Sequence, residues 1–246
     1  MRIDALTVIG PDLFRPTPDL AQTIDESAAC GIDGIIAAPG RPRDYHLAPA
    51  NDALAAAAVD RHEIVARLAR IDPNQGAEAV AELRRCVTEL GCRGAFLHPA
   101  EECFAARTAV DVVGAAAALG LPVVIASGLY ALSEPLQVLQ LAEKVPDATI
   151  IMTTGGQINI SGLSMTDAWT ALSRHPNLCV MTNGEYRQDF IERLANDLDP
   201  MRVLFATFAP TFDRGYESKR IASARLSPHV RRQVESENAR RLFTVA

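Results

Sequence analysis

His98 closes the phrase GAFLHP, and Arg41 and Arg43 follow directly on IIAAPG. An imidazole titrates near neutrality and can act as acid, base or hydrogen-bond donor. Two guanidiniums side by side can clamp a carboxylate through paired N–H donors. Each group also has a structural reading: His98 as a partly buried ring that orders the next loop, the arginines as solvated loop charges. Ser127, Thr153, Thr154 and Asn183, with Glu185 and Tyr186, follow other apolar runs and could line a polar, hydrogen-bonding pocket. Within TTGGQINI (153–160) the paired glycines also offer flexible backbone N–H groups. Cys103, in HPAEECF, is a nucleophile candidate because His98 is close in sequence. The five cysteines (Cys30, Cys86, Cys92, Cys103, Cys179) show neither CxxC spacing nor a disulfide framework, and are read as reduced thiols packing as small hydrophobes. His46 lies on the loop with the two arginines and is read as a surface residue. His62, His175 and His229 fall beside helix ends or turns and are read as structural. No Ser-His-Asp set emerges from spacing, and no glycine-rich phosphate loop follows an apolar run.

These residues need elements to position them, and the apolar pattern supplies a candidate set. Runs at 2–10, 34–39, 63–71, 94–99, 122–127, 149–154, 178–183 and 202–207 are short, rich in β-branched or other apolar residues, and bounded by Gly, Pro, Asn or Asp. Between them lie amphipathic stretches with helix signals. TPDLAQTIDESAACG opens on Thr17-Pro18 and closes on Gly31. NQGAEAVAELRRCVTELG, AVDVVGAAAALG and SEPLQVLQLAEKVP follow the same plan, NDALAAAAVDR fits a helix, and SPHVRRQVESENARRLF is a longer terminal segment. Parallel strands need crossovers of this length, and eight of them close a (β/α)8 TIM-type barrel, with a doubly wound sheet as the runner-up. We expect one domain over residues 1–246. Hydrophobic residues at 48% support a sizeable core, and a net charge of −6 with no basic patch argues against a nucleic-acid partner. No run of 18 apolar residues is present, and MRIDALTVIG lacks the pattern of a secretion signal, so a cytoplasmic protein that does not meet the membrane is expected.

RIDPNQGAEAVAELRRCVTELGCRGAFLHP (70–99), LPVVIASG (121–128), TIIMTTGG (149–156), NLCVMTNG (177–184), RVLFATFAP (202–210) and VESENARRLF (234–243) stand in the order of a known set of barrel phrases. The chain resembles the amidohydrolase-related family that includes aminocarboxymuconate semialdehyde decarboxylase-like enzymes and dicarboxylate lactonases. The resemblance implies a metal-dependent-hydrolase barrel with one divalent ion at its mouth. It also implies where the ligands would fall: two histidines on the first strand, one each on the fifth and sixth, an aspartate on the eighth. At those positions this chain has Leu6, Val8, Ala126, Thr153 and Phe208. Three or more N, O or S donors are needed to hold zinc, and four of these side chains offer none. No metal and no cofactor are therefore expected.

Two functions follow from the resemblance and its gaps. The first is a pseudoenzyme: a non-catalytic subunit or small-molecule-binding protein, forming a homodimer or pairing with a metal-bearing relative. The second is a metal-independent hydrolase, lactonase or decarboxylase acting on a small carboxylated ligand, with His98 as the catalytic group and Arg41, Arg43, Ser127, Thr153, Thr154 and Asn183 around the substrate.

Overall fold

The computed structural model describes residues 1–16, 19–156, 162–185 and 187–244. Thr17 and Pro18, Gln157 to Ile160 and Tyr186 lie outside the described residues. Among the described residues eight strands form: β1 (Ile3–Ile9), β2 (Gly34–Pro39), β3 (Ile64–Arg67, resumed after Leu68 as Ala69–Arg70), β4 (Ala95–Leu97), β5 (Val123–Ile125), β6 (Ile150–Met152), β7 (Leu178–Met181) and β8 (Val203–Leu204). Each sits inside one of the eight apolar runs, and each pairs in parallel with its neighbour in sequence. At the break in β3 the Leu68 N–H donates to the Ala37 carbonyl at 2.8 Å and the Ala69 N–H to Gly94 at 2.9 Å, which carries the ladder from β2 to β4. The ring closes between β8 and β1. Ala5 N–H reaches the Phe205 carbonyl at 3.0 Å, Val8 N–H reaches Ala209 at 2.8 Å, and Phe208 N–H reaches Leu6 at 2.8 Å.

Period-two alternation divides each strand between two cores. Ile35, Ala37, Ala95, Leu97, Val123 and Ile125 pack outward against the helices. Ile36, Ala38, Leu68, Phe96, Val124 and Ala126 point inward and fill the barrel. β1 departs from strict alternation across a register shift between Asp4 and Thr7, since Ile3, Ala5, Leu6 and Val8 all join the inner cluster. Asp4, fully buried, fixes this seam: its carboxylate accepts the Leu6 N–H at 3.2 Å, the Thr207 N–H at 2.7 Å, the Thr7 hydroxyl at 2.7 Å and the Thr207 hydroxyl. Burial raises the Asp4 carboxyl above its ordinary range in spite of these four bonds.

The crossover helices are α1 (Leu20–Ala29), α2 (Leu47–Ala57), α3 (Ala77–Thr88), α4 (Val110–Ala118), α5 (Pro135–Lys144), α6 (Gly162–Arg174), α7 (Gln188–Arg193) and α8 (Arg214–Ser223). α1 takes Asp19 as its N-cap, with the Gln22 N–H bonded to the side chain at 2.7 Å, so the cap lies downstream of the expected Thr-Pro pair. α2 starts at Leu47, four residues before the expected Asn51, because His46 already occupies the extended N-cap position. α9 (Pro228–Arg232) and α10 (Asn238–Leu242), continuous through the π-helical stretch Gln233–Glu237, make the terminal segment, whose Ala239 and Phe243 enter the inner core. Among the described residues no helix is long and apolar enough to cross a membrane.

Candidate functional site

Strand parity carries one charge into the barrel. Two residues beyond inward-facing Leu68, Arg70 lies fully buried with its guanidinium 5.4 Å from the centre of the Phe96 ring. Its Nε and Nη2 donate to Glu102 Oε1 at 3.1 and 2.7 Å, Nη2 also bonds Glu101, and Nη1 reaches the Pro39 carbonyl at 3.2 Å. Glu101 and Glu102 stand on the turn after β4, where both backbone N–H groups donate to the His98 carbonyl at 3.0 Å. From the loop after β1, Arg15 pairs with Asp12 at 3.0 Å and with Glu101. Arg41, after β2, donates its backbone N–H to Asp12 at 3.0 Å and holds its Nε 3.6 Å from Glu102. Three arginines thus face three carboxylates at the top of the barrel. Buried ions of this kind persist only when paired, and these are.

His98 stands inside the network, 7% exposed. Its Nδ1 accepts the Glu101 N–H at 3.3 Å, which leaves the proton of a neutral ring on Nε2, 3.2 Å from Glu101 Oε1. Burial lowers its pKa to about 4; the Arg70 and Arg15 charges push the same way and Glu101 opposes them. Burial works against the charged form of Glu101, but His98, Arg15 and Arg70 hold it below the usual carboxylate range. Glu102 is raised by burial, with Arg70 and Arg41 pulling it back.

Phe208 closes the mouth. Its φ of 53° is in the left-handed region, uncommon for a non-glycine residue, and this conformation turns the chain as β8 ends. The ring lies 5.9 Å from Phe96, 6.2 Å from His98 and 6.3 Å from Phe212, with the Arg15 guanidinium 5.5 Å from its centre. Leu6, Val8 and Ala126 join it in the same inner apolar cluster. Thr153 is equally buried, and its hydroxyl accepts the Ser127 N–H at 3.0 Å.

The structure also brings the expected polar group together. The Ser127 hydroxyl donates to the Thr153 carbonyl at 2.6 Å, the Thr154 hydroxyl to the Ser127 carbonyl at 3.0 Å, and the Thr154 N–H faces Asn183 Oδ1 at 3.5 Å. These bonds join β5, β6 and β7 to one another. Glu185 packs on the same turn: Gly155 holds a φ of +61°, which favours glycine, and a Cβ there would come 2.0 Å from the Glu185 Oε2 and displace that carboxylate. The arginine clamp is not assembled. Arg41 turns inward, its guanidinium 4.4 Å from the centre of the Tyr45 ring, whereas Arg43 is exposed. Cys103 is exposed with its sulfur 3.7 Å from the Ala100 carbonyl, His46, His62 and His229 are exposed, and His175 is buried away from the mouth near the start of β7.

Sequence reasoning missed Arg15, Arg70, Asp12, Glu101 and Glu102. One signal was present: in IVARLARI, Ala66 and Leu68 face inward, and the same parity carries Arg70 in. One cavity, of about 630 Å³, lies between α2 and α3 and is lined by Arg70, Asp72, Glu78, Glu82 and Arg85, and another, of about 350 Å³, lies between α1 and α2 beside the ends of β1 and β2.

Comparison with known proteins places this geometry in context. No curated protein matches the sequence. Among solved structures, 2,6-dihydroxybenzoate decarboxylase from Rhizobium is similar over 99% of this chain and 98% of its own, with 19% identity and a TM-score of 0.75. A 5-carboxyvanillate decarboxylase variant from Novosphingobium aromaticivorans, solved with bound manganese, is similar over 100% and 97%, with 16% identity and a TM-score of 0.78. The 4-oxalomesaconate hydratase from Rhodopseudomonas palustris is similar over 99% and 96%, with 17% identity and a TM-score of 0.69. At these identities the likeness is one of fold. A family model described as amidohydrolase matches residues 25–245, nearly the whole barrel, and the chain belongs to that family.

Proposed function

We propose that this barrel has left metal-assisted chemistry and serves as a non-catalytic subunit or small-molecule-binding protein. The observation that carries the reading is the inner cluster in which Leu6, Val8, Ala126 and Phe208 fill the positions that the resemblance assigns to metal ligands. These residues do not fit a divalent ion. Four have no donor atom, and the Thr153 hydroxyl already takes the Ser127 N–H. Among the described residues no three His, Cys, Asp or Glu side chains form a group that could hold one. The nearby carboxylates are instead engaged with Arg15, Arg41 and Arg70. A homodimer, or a pairing with a metal-bearing relative, and a cytoplasmic setting with five free cysteines complete the reading.

A second reading is favoured by the likeness to decarboxylases of the same fold: a metal-independent decarboxylase or hydrolase acting on a small carboxylated substrate. In it His98, neutral and bonded to Glu101, would hold or pass a proton at Nε2, and a substrate carboxylate would compete with Glu101 for Arg15 and Arg70.

One experiment separates the two. Protein purified without chelators is examined for bound metal by elemental mass spectrometry and for assembly by native mass, with His98→Ala alongside and small carboxylates screened for turnover. We expect no stoichiometric zinc or manganese, an oligomer or a co-purified partner, and the same assembly in the variant. Stoichiometric metal would overturn both readings. Turnover of a carboxylate that disappears in His98→Ala would replace the first with the second.

A further inference from the structure

The end of α3 brings together two thiols. Cys86 lies in its last turns, Gly91 at φ +65° reverses the chain, and the Cys92 N–H donates to the Cys86 carbonyl at 3.0 Å. This bond folds the chain back from residue 92 onto residue 86, so that its two end residues, both cysteines, lie at one helix end. Cys86 is fully buried and Cys92 is 3% exposed. The backbone bond also limits their separation. Its N and O atoms each lie within about 1.5–2.4 Å of their own Cα, so the Cα atoms are at most about 7 Å apart, near the outer limit for a disulfide. Cys30, Cys103 and Cys179 stand on other elements.

We propose that Cys86 and Cys92 are a redox-responsive pair that closes to a disulfide when the protein meets a hydroperoxide and reopens with a thiol reductant. The chemistry assigns each sulfur a part. The neighbouring Cys86 thiol and the Arg67 guanidinium hold the Cys92 thiol below its ordinary range, against its burial, so Cys92 is the readier thiolate. It attacks one peroxide oxygen, the O–O bond breaks, the alkoxide leaves and takes up a proton, and Cys92 becomes a sulfenic acid. Cys86 then attacks that sulfur. The S–S bond forms, and the departing hydroxide takes the Cys86 proton and leaves as water. Two thiols are oxidised by two electrons, and the hydroperoxide is reduced to an alcohol and water.

The pair connects to the mouth through named contacts. The Cys86 thiol donates to Glu82 Oε1 at 3.2 Å, which also accepts the Asn51 amide at 2.9 Å. Asn51 in turn brackets the Arg70 backbone, donating to its carbonyl at 3.1 Å and accepting its N–H at 2.9 Å. Disulfide formation removes the thiol donor from this chain and leaves Glu82 to Asn51 and Arg85.

The test uses folded Cys103→Ser protein, which lacks the exposed thiol, treated with hydrogen peroxide, then denatured, alkylated, digested and mapped by mass spectrometry. We expect a single Cys86–Cys92 link that dithiothreitol reverses, with Cys30 and Cys179 alkylated. Recovery of Cys86 and Cys92 both alkylated, at peroxide levels that fully oxidise a cysteine peptide, would overturn the proposal. So would a link from either to another cysteine, or the same selectivity in urea-unfolded chain.

Discussion

Burial, with the Arg70 and Arg15 charges beside it, brings the His98 imidazole down from 6.5 to about 4, so the unfolded chain binds a proton there that the folded chain refuses. Where the unfolded state holds more protons, stability rises with pH. The contribution of His98 is therefore fully present above pH 6.5 and is lost as pH falls from 6.5 towards 4. At roughly 1.4 kcal/mol per unit the loss is on the order of 3 kcal/mol. Denaturant titrations of wild type and His98→Gln across that window check it: wild type is expected to weaken steadily on acidification, and the variant to give a flatter profile. At the same scale the structure explains Phe208. An unpaired carboxylate in that place would be desolvated against Phe96 and His98, whereas a phenyl ring packs edge-on against one and at a tilt against the other.

The strands and helices set what a single residue can reach, and the seam between β1 and β8 shows how much rests on one side chain. Asp4 satisfies two buried N–H groups and two hydroxyls at that seam. Asp4→Ala leaves them unpaired, and at about 1–3 kcal/mol for each unsatisfied buried group the variant is expected to lose at least ~2 kcal/mol. Hydrogen exchange is expected to accelerate first at the Leu6 and Thr207 amides; unchanged protection there would refute the seam role. All eight strands were legible as apolar runs, because all but β3, whose Val65 and Arg67 are half-buried, are buried on both faces and carry a continuous signal. Helices α6, α7 and α8 were not singled out. α8 reads RGYESKRIAS, and its charged residues, of which Arg214, Glu217 and Arg220 are buried, hide the apolar face that would reveal it. The site was half legible: sequence order located the mouth, but Asp12, Arg15, Glu101 and Glu102 sit in turns without periodicity, where only tertiary contact reveals the pairing.

Taken as a whole, the molecule ties four of its mouth segments into one electrostatic unit: the loops after β1 and β2, the end of β3, and the turn after β4. Because Glu101 is shared between Arg15 and Arg70, removing either end of a pair costs more than the pair is worth. Arg15→Gln and Glu101→Gln are each expected to lower the thermal midpoint, while the double variant recovers part of the loss, with a coupling of about 0.5–3 kcal/mol in a double-mutant cycle. Strict additivity would show that the two loops are energetically independent.

The same sharing constrains ancestry and descent. A lineage that exchanged Arg70 for a neutral residue would take one partner from Glu101 and Glu102 at once, leaving them to Arg15 and Arg41, and one that exchanged Glu101 would take one partner from Arg15 and Arg70, so each substitution is felt at two further positions. Relatives of this chain are therefore expected to hold Arg15, Arg70, Glu101 and Glu102 together or to lack them together. Covariation among these positions across sequenced descendants would record the mouth as one heritable character.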